Sequence, residues 1–433
     1  MARLLPKRDA VIIGPGRTGS LLGGRSHRHP PYQIVRRMGA LTLIFAAALA
    51  AFAAPAAAAN VEAGKYQMVL GDCEGCHAKN LAGGVALQTP FGRMLAPNIT
   101  PDKETGIGNY TLKDFTLAMR RGVAPGGKRL YPAMPYPAYA YMNDKDIADL
   151  WAYLQTVKPV KKAVNVNQLT FPFNQRVLMR GWNMLFFKPK PLVHNPAKSA
   201  AWNRGAYLVN GPAHCGACHS AKNAFGADKA NALTGASLQG WFAPDLTGDR
   251  HSGLGAWSQA EIVQYLQTGR NDRSIASGPM AEAVENSTAK MTDGDLGAIA
   301  VYLKDLPPSR GNGGKATGVD AQMKAGAVLY DVSCAACHGR DGKGSVIFPA
   351  LAGNANVTQV RADTVVRMIL AGGKGAATPK APTGPAMPGF DWRLNNEQTA
   401  AILTYIRNNW SNQAPPVSSE TVGRLRQSLR SGS

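Results

Sequence analysis

Acidic side chains are scarce in this sequence: 433 residues carry 27 Asp and Glu against 48 Lys and Arg, a formal charge of +21. Residues 1–60 hold eight Lys or Arg and one Asp, net +7, which leaves +14 for the remainder. Such an excess favours an acidic partner or an anionic membrane surface. Long apolar runs are also missing. The longest, Gly39 to Ala54, is about sixteen residues, short of the roughly twenty that a membrane span needs. Cysteine is rare, with six in the chain. A disulfide framework belongs to short, cysteine-dense chains, so these six have another use. The segments between them lack the two-residue alternation of strands, and Gly and Pro are plentiful, which points to helices joined by long loops.

All six cysteines fall into three copies of one pentapeptide: Cys73-Glu74-Gly75-Cys76-His77, Cys215-Gly216-Ala217-Cys218-His219 and Cys334-Ala335-Ala336-Cys337-His338. Chance would supply one such motif on the order of once in a thousand chains of this composition. On a helical turn, positions i, i+3 and i+4 share a face, so two thiols can form thioethers with one porphyrin while the His reaches its iron. That is the pattern of c-type haem attachment. Zinc would need a second ligand pair per metal, and only His194, His214 and His251 remain in the body of the chain. Thioredoxin-like chemistry would need a βαβ setting, which does not surround the three motifs.

Arg36 and Arg37 precede the apolar run, and Ala57-Ala58-Ala59 follows it before Asn60. This is the three-part layout of a secretory signal, with cleavage expected after Ala59. The arginine pair alone is weak support for the twin-arginine route. Residues 1–37 suit a signal poorly, and Met38 stands nearer the expected start. Export suits covalent haem and argues against nucleic acid as a partner. Gly14-Pro15-Gly16-Arg17-Thr18-Gly19 matches the dinucleotide-binding fingerprint, but no βαβ unit follows before Pro30-Pro31.

Aligning the three motifs exposes a longer repeat. Each copy begins with a Gly-bearing helical stretch: Ala63-Gly64-Lys65-Tyr66, Arg204-Gly205-Ala206-Tyr207 and Ala325-Gly326-Ala327-Val328. Downstream come Pro97, Pro244 and Pro349; this pattern resembles c-type cytochromes, which implies that each Pro carbonyl accepts from the axial His Nδ1 and fixes the ring. Middle helices are expected from Leu112 to Arg121, Gln259 to Gln267 and Ala362 to Leu370, closed by Gly122, Gly269 and Gly372. Final helices run from Asp146 to Leu154, Asp295 to Leu303 and Gln398 to Ile406, aligning Tyr153, Tyr302 and Tyr405. First and last helices should cross beside the motif.

The loop between middle and last helix holds Met134, Met280 and Met387, each near a Pro. A thioether is a soft ligand that favours ferrous iron and raises the potential, so these three are the expected sixth ligands. Met142 and Met291 align with Leu394 and read as packing, and Met119 and Met368 lie within middle helices. Either His214 or His251 could make a bis-His site in the second unit, but the repeat favours Met280. Iron held from both sides leaves no open position for peroxide or oxygen.

Outside the repeat, Arg176 to Phe187 carries an apolar helical stripe through Val177, Leu178, Gly181, Trp182, Leu185 and Phe186. It suits packing between the first two haem units or docking of a partner or quinone. Pro307 to Gly318 reads as a flexible linker. The tail Ser418 to Arg430 places Val422, Leu425 and Leu429 among arginines, suiting an anionic membrane or a frayed end.

Over nearly its whole mature length the chain resembles the triple-haem cytochrome c subunits of bacterial membrane-bound alcohol, aldehyde, gluconate and sorbitol dehydrogenases. The resemblance is carried by Pro97-Asn98-Ile99-Thr100-Pro101-Asp102-Lys103-Glu104-Thr105-Gly106-Ile107-Gly108, Leu130-Tyr131-Pro132-Ala133-Met134-Pro135-Tyr136, Gly211-Pro212-Ala213-His214 running into the second motif, and Trp241-Phe242-Ala243-Pro244-Asp245-Leu246-Thr247-Gly248. It implies a subunit on the periplasmic side of the inner membrane. There it takes electrons from a large dehydrogenase subunit carrying flavin or pyrroloquinoline quinone, with a small chaperone-like subunit as an optional third component, and passes them to ubiquinone.

The expected fold is all-α, with three tandem cytochrome c-like haem domains after a signal segment: leader 1–59, domains 60–157, 202–306 and 319–412, linkers 158–201 and 307–318, and tail 413–433. Three covalent haem c groups would sit on Cys73/Cys76, Cys215/Cys218 and Cys334/Cys337, with axial pairs His77/Met134, His219/Met280 and His338/Met387 and no substrate chemistry on this chain. The alternatives are a freestanding shuttle to a terminal oxidase and a multihaem peroxidase.

Overall fold

The structure is a computed structural model that describes residues 58–189, 192–230, 232–309, 314, 316–345 and 347–431. The expected signal segment, its arginine pair and the Gly14–Gly19 fingerprint lie outside the described residues. One helix arrangement recurs three times. In the first repeat α1 (Val61–Leu70) leads into the motif turn α2 (Cys73–His77), followed by α3 (Leu112–Arg121), the short α4 (Tyr136–Tyr139) and α5 (Asp144–Thr156). After an intervening helix α6 (Leu178–Phe186), the second repeat has α7 (Ala200–Asn210), α8 (Gly216–His219), α9 (Gln259–Thr268), α10 (Pro279–Asn286) and α11 (Asp293–Lys304). The third has α12 (Asp320–Ser333), α13 (Ala335–His338), α14 (Ala355–Thr358), α15 (Asp363–Ala371) and α16 (Asn396–Asn408), and α17 (Ser419–Ser431) closes the chain.

Capping fixes these boundaries. Thr111 with Asp114, Ser258 with Glu261 and Asn395 with Gln398 form reciprocal capping boxes that satisfy orphan N–H groups at the starts of α3, α9 and α16. Gly122 and Gly269 end the middle helices in the left-handed region, at φ of 59° and 73°.

First and last helices pack as pairs, α1 on α5, α7 on α11 and α12 on α16. The contact is made possible by one glycine per repeat. A Cβ on Gly64, Gly205 or Gly326 would overlap the backbone carbonyl of Asp149, Ala298 or Ala401 and press on the Cβ of Tyr153, Tyr302 or Tyr405. The aligned glycines and tyrosines are thus two sides of one crossing.

Strands are short and few. β1 (Ala86–Thr89) and β2 (Gly92–Leu95) form a hairpin to which a linker strand, β5 (Asn167–Leu169), is added, while β3/β4 (Val123–Ala124, Lys128–Arg129), β6/β7 (Ala236–Leu238, Trp241–Ala243) and β8/β9 (Gly373–Lys374, Ala386–Met387) are two-stranded pairs. The chain is all-α in class with these minor ribbons.

The first two repeats pair reciprocally. Tyr66 on α1 donates to Asp295 on α11 at 2.8 Å, and Tyr207 on α7 donates to Asp146 on α5. Arg204 clamps Asp295 with two bonds of 2.8 and 2.7 Å, and Leu70 enters the apolar core of the second repeat. The third repeat has Val328 and Gln398 where the others have Tyr and Asp, and it attaches elsewhere. Thr364 on α15 bonds both backbone groups of Phe242 on β7, Thr358 donates to the His251 carbonyl and Gln359 to that of Ser252, each at 2.6 Å.

One expectation is corrected. The tail neither frays nor offers its apolar stripe to a membrane: Val422 is fully buried, Leu425 and Leu429 pack on the third core, and Arg426 donates to Asn396, Leu394 and Asp391. The second linker is tied down at its described ends, where Ser309 donates to Asp245 and Ala316 to Asn408. Among the described residues no helix is long and apolar enough to cross a membrane.

Candidate haem-binding sites

Each motif is helical, so its two thiols and its His share one face of a turn. The His rings are held identically. His77 Nδ1 lies 2.7 Å from the Pro97 carbonyl, His219 Nδ1 2.7 Å from that of Pro244, and His338 Nδ1 3.0 Å from that of Pro349. A carbonyl can only accept, so each bond places the proton on Nδ1 and leaves the Nε2 lone pair for a metal. Burial lowers the basicity of all three rings against the opposing effect of that carbonyl, which keeps them neutral as ligands must be.

The thiols are unpaired. Burial pushes Cys73 and Cys215 up to about 12 and Cys76 and Cys334 to about 11. Cys73, Cys215 and Cys334 pack on apolar clusters and are poor thiolates, which argues against disulfide-exchange chemistry. Among the described residues no three His, Cys, Asp or Glu side chains converge, which leaves a zinc-type cluster without donors.

Met134 packs in the same apolar cluster as Cys73, and Met387 in the same cluster as Cys334. Met280 lies at the start of α10 in a smaller cluster of Ala276, Ala281, Val284 and Ala376; Tyr265 touches both it and the Cys215 cluster. All three methionines are half-buried. Met142, Met291 and Leu394 are each buried in a core, as their alignment required.

His214 has a different task. Its Nε2 is 3.1 Å from the Gly71 carbonyl, which also accepts from the Tyr139 hydroxyl at 3.3 Å, and the two rings meet edge to face at 5.7 Å. It joins the first repeat to the second. His251 is exposed and contributes its carbonyl to the third repeat.

Sequence reasoning missed how close the first two motifs lie. Helix α10, whose second residue is Met280, packs on the motif turn α2, and Lys290 is 4.0 Å from Glu74. Burial raises the Cys76 thiol most, and Asp72, Cys218 and Glu282 lie close enough to add to that shift. The matched registers of Tyr66 with Tyr207 and Asp146 with Asp295 point to it only once the two repeats face one another. Trp241 on β7 also ties the second repeat to the third: a Cβ on Gly278 would collide with its ring, and Arg367 of α15 lies over that ring at 4.9 Å.

The sequence model of the cytochrome c family matches three stretches, residues 61–158, 203–307 and 323–410. The chain belongs to the cytochrome c family. Each stretch contains one Cys-x-x-Cys-His motif and its Pro carbonyl. The chain is 37% identical to the cytochrome c subunit of alcohol dehydrogenase (quinone) from Gluconobacter oxydans (strain 621H), over 91% of its own length and 87% of the relative's. It is 36% identical to the fructose dehydrogenase cytochrome subunit of Gluconobacter japonicus, covering 85% and 82%. It is 38% identical to the gluconate 2-dehydrogenase cytochrome c subunit of Pantoea cypripedii, covering 85% and 90%.

Proposed function

We propose that this cytochrome is the electron-transfer subunit of a dehydrogenase complex on the periplasmic side of the inner membrane. It would carry three covalent haem c groups and pass electrons from a flavin- or pyrroloquinoline-quinone-bearing subunit to ubiquinone. The observation that carries the reading is the threefold His Nδ1 to Pro carbonyl bond, 2.7, 2.7 and 3.0 Å, beside paired thiols.

The residues divide the work by chemistry. Cys73/Cys76, Cys215/Cys218 and Cys334/Cys337 would tether the haems; His77, His219 and His338 would offer Nε2 to the iron, and Met134, Met280 and Met387 a thioether. Haem iron so held supplies one-electron exchange without an open coordination position. Support for the methionines comes from their matched position before the last helix and, for Met134 and Met387, from sharing a core with the motif cysteine. The packing of α10 on α2 supports exchange between the first and second sites. The relatives' names, each a dehydrogenase cytochrome subunit, support the partner.

Mass spectrometry of the exported chain should show three added haem masses. The ferric spectrum should contain the weak far-red sulfur-to-iron band, diminished by about a third in each of Met134→Ala, Met280→Ala and Met387→Ala if the three sites contribute equally. Fewer haems, or a high-spin spectrum with peroxide turnover, would replace the reading with a peroxidase. Co-purification with a dehydrogenase subunit, and inhibition by a quinone analogue, separates the complex from a freestanding shuttle.

A further inference from the structure

From residue 150 to residue 227 the chain has no Asp or Glu and ten Lys and Arg. Helix α6 lies within this stretch and is apolar on two sides. Its inner side is fixed to the protein: Asn183 accepts from Tyr136 at 2.6 Å, Trp182 donates to the Phe225 carbonyl at 2.9 Å, and Phe187 meets the Tyr136 ring at 5.2 Å. Its outer side is left bare, with Val177 63%, Leu178 44%, Met184 77% and Leu185 64% exposed. Isolated exposed apolar residues are ordinary, but four large ones on one side of a helix mark an interaction surface.

A cleft opens next to this surface, lined by Arg121, Arg129, Arg180, Asn183, Met184, Phe187 and Pro189. It has three guanidinium groups, an apolar wall and no acid. None of the three arginines forms an ion pair among the described residues, and the buried Nε of Arg129 meets no hydrogen-bond partner there. Two further cations crowd the rim. Arg176 donates to the Arg129 carbonyl at 2.8 Å and lies over the Tyr131 ring, and its charge, after burial, depresses Lys128. Planar forks that can bind two oxygens at once, beside long apolar side chains, fit a phosphodiester attached to acyl chains.

We propose that the α6 face is a membrane-docking surface. Arg121, Arg129 and Arg180 receive an anionic phospholipid headgroup, and Val177, Leu178, Met184 and Leu185 enter the interfacial layer. This deepens the membrane placement proposed above by naming the face and the lipid chemistry. Tyr136, two residues from Met134, anchors the helix, so the first repeat is the one held against the bilayer. A protein partner would have to bring acids to a surface that has none and cover flexible Met and Leu side chains; an anionic bilayer supplies both at once.

The test is vesicle flotation of the purified holoprotein. Wild type should float with phosphatidylcholine vesicles containing about a third phosphatidylglycerol, weaken with added salt, and stay behind with phosphatidylcholine alone. The triple variant R121Q/R129Q/R180Q should bind about a hundredfold more weakly, at roughly tenfold per 1.4 kcal/mol and about 1 kcal/mol for each arginine. M184S/L185S should also lose binding. Haem content and absorption, measured on the same samples, report folding, and the single exposed variant R180Q serves if the triple variant is poorly made.

Equal flotation on neutral and anionic vesicles, or unchanged flotation of R121Q/R129Q/R180Q and R180Q, would overturn the proposal. So would displacement by inorganic phosphate beyond that by chloride at matched ionic strength, which would assign the cleft to free phosphate. Retained flotation with loss of a co-purifying dehydrogenase subunit would assign the face to protein instead. A wrong haem count would count against the electron-transfer reading, independently of flotation.

Discussion

The Tyr66 hydroxyl donates to the Asp295 carboxylate at 2.8 Å across 229 residues of sequence, and Tyr207 returns the same bond to Asp146. Each tyrosine also reaches the N-cap residue of the opposite final helix, Tyr66 at Thr292 and Tyr207 at Asn143. The first two repeats are therefore joined by one device used twice.

Removing either hydroxyl should be felt. Tyr66→Phe and Tyr207→Phe each delete a bond to a charged acceptor and should lower stability by about 1.5–3 kcal/mol. Urea unfolding of the holoprotein measures this. A double variant no worse than either single one would mean that the two bonds are not independent clamps.

The same interface sets an acid limit. Burial pulls the Asp295 carboxyl upward, but hydrogen bonds from Arg204 and Tyr66 outweigh it and hold the group below the ordinary range. A carboxyl with a lowered folded pKa contributes stability that is complete above its unfolded value, about 3.9, and is lost as pH falls through the folded value. Unfolding midpoints should fall below about pH 4 more steeply in wild type than in Asp295→Asn. Parallel acid limbs would remove Asp295 as the cause.

The helix crossing gives a contrast between near neighbours in the third repeat. Gly326→Ala drives a methyl into the Ala401 carbonyl and should cost about 1–3 kcal/mol or more. Val328→Ser, two residues on at a site 67% exposed, should stay within about 0.5 kcal/mol. Thermal melts of the two holoproteins decide it; a neutral Gly326→Ala would mean the crossing can open without loss.

Arg407 is 1% exposed yet forms no ion pair among the described residues. It donates to the carbonyls of Val357 at 2.7 Å, Gln359 at 2.8 Å and Pro415 at 3.2 Å, and burial brings its pKa down to about 10. Arg407→Met would leave three carbonyls without a donor and should cost about 2–4 kcal/mol. Arg407→Lys, whose single amine cannot span them, should recover only part. Full recovery by Lys would show that charge, not the planar fork, is what the site needs.

Much of the fold could be read from residues because its signals are local. Thr111, Ser258 and Asn395 announce helix starts, Gly122 and Gly269 their ends, and α3 runs over the very residues expected, Leu112 to Arg121. The His to Pro carbonyl bond was legible because it recurs three times in register. Contacts between repeats were not, since each depends on a whole unit's orientation. Tyr66 and Tyr207 align with each other but reveal nothing of Asp295 and Asp146 until the units face one another. The tail misled for a related reason: a stripe of Val422, Leu425 and Leu429 among arginines has the same pattern whether it meets lipid or the third core, and only the position of α16 decides. In α6 the converse holds. Its stripe reads as one face, but Trp182 and Phe186 turn toward protein while Val177, Leu178 and Leu185 do not.

Because each Tyr in the first pair of repeats finds its Asp in the other, that union is closed. It exposes no spare copy of its own adhesive surface, unlike a head-to-tail joint, which always leaves one end sticky. A further unit must be joined through a different seam, as Thr364 and Phe242 join the third repeat to the second.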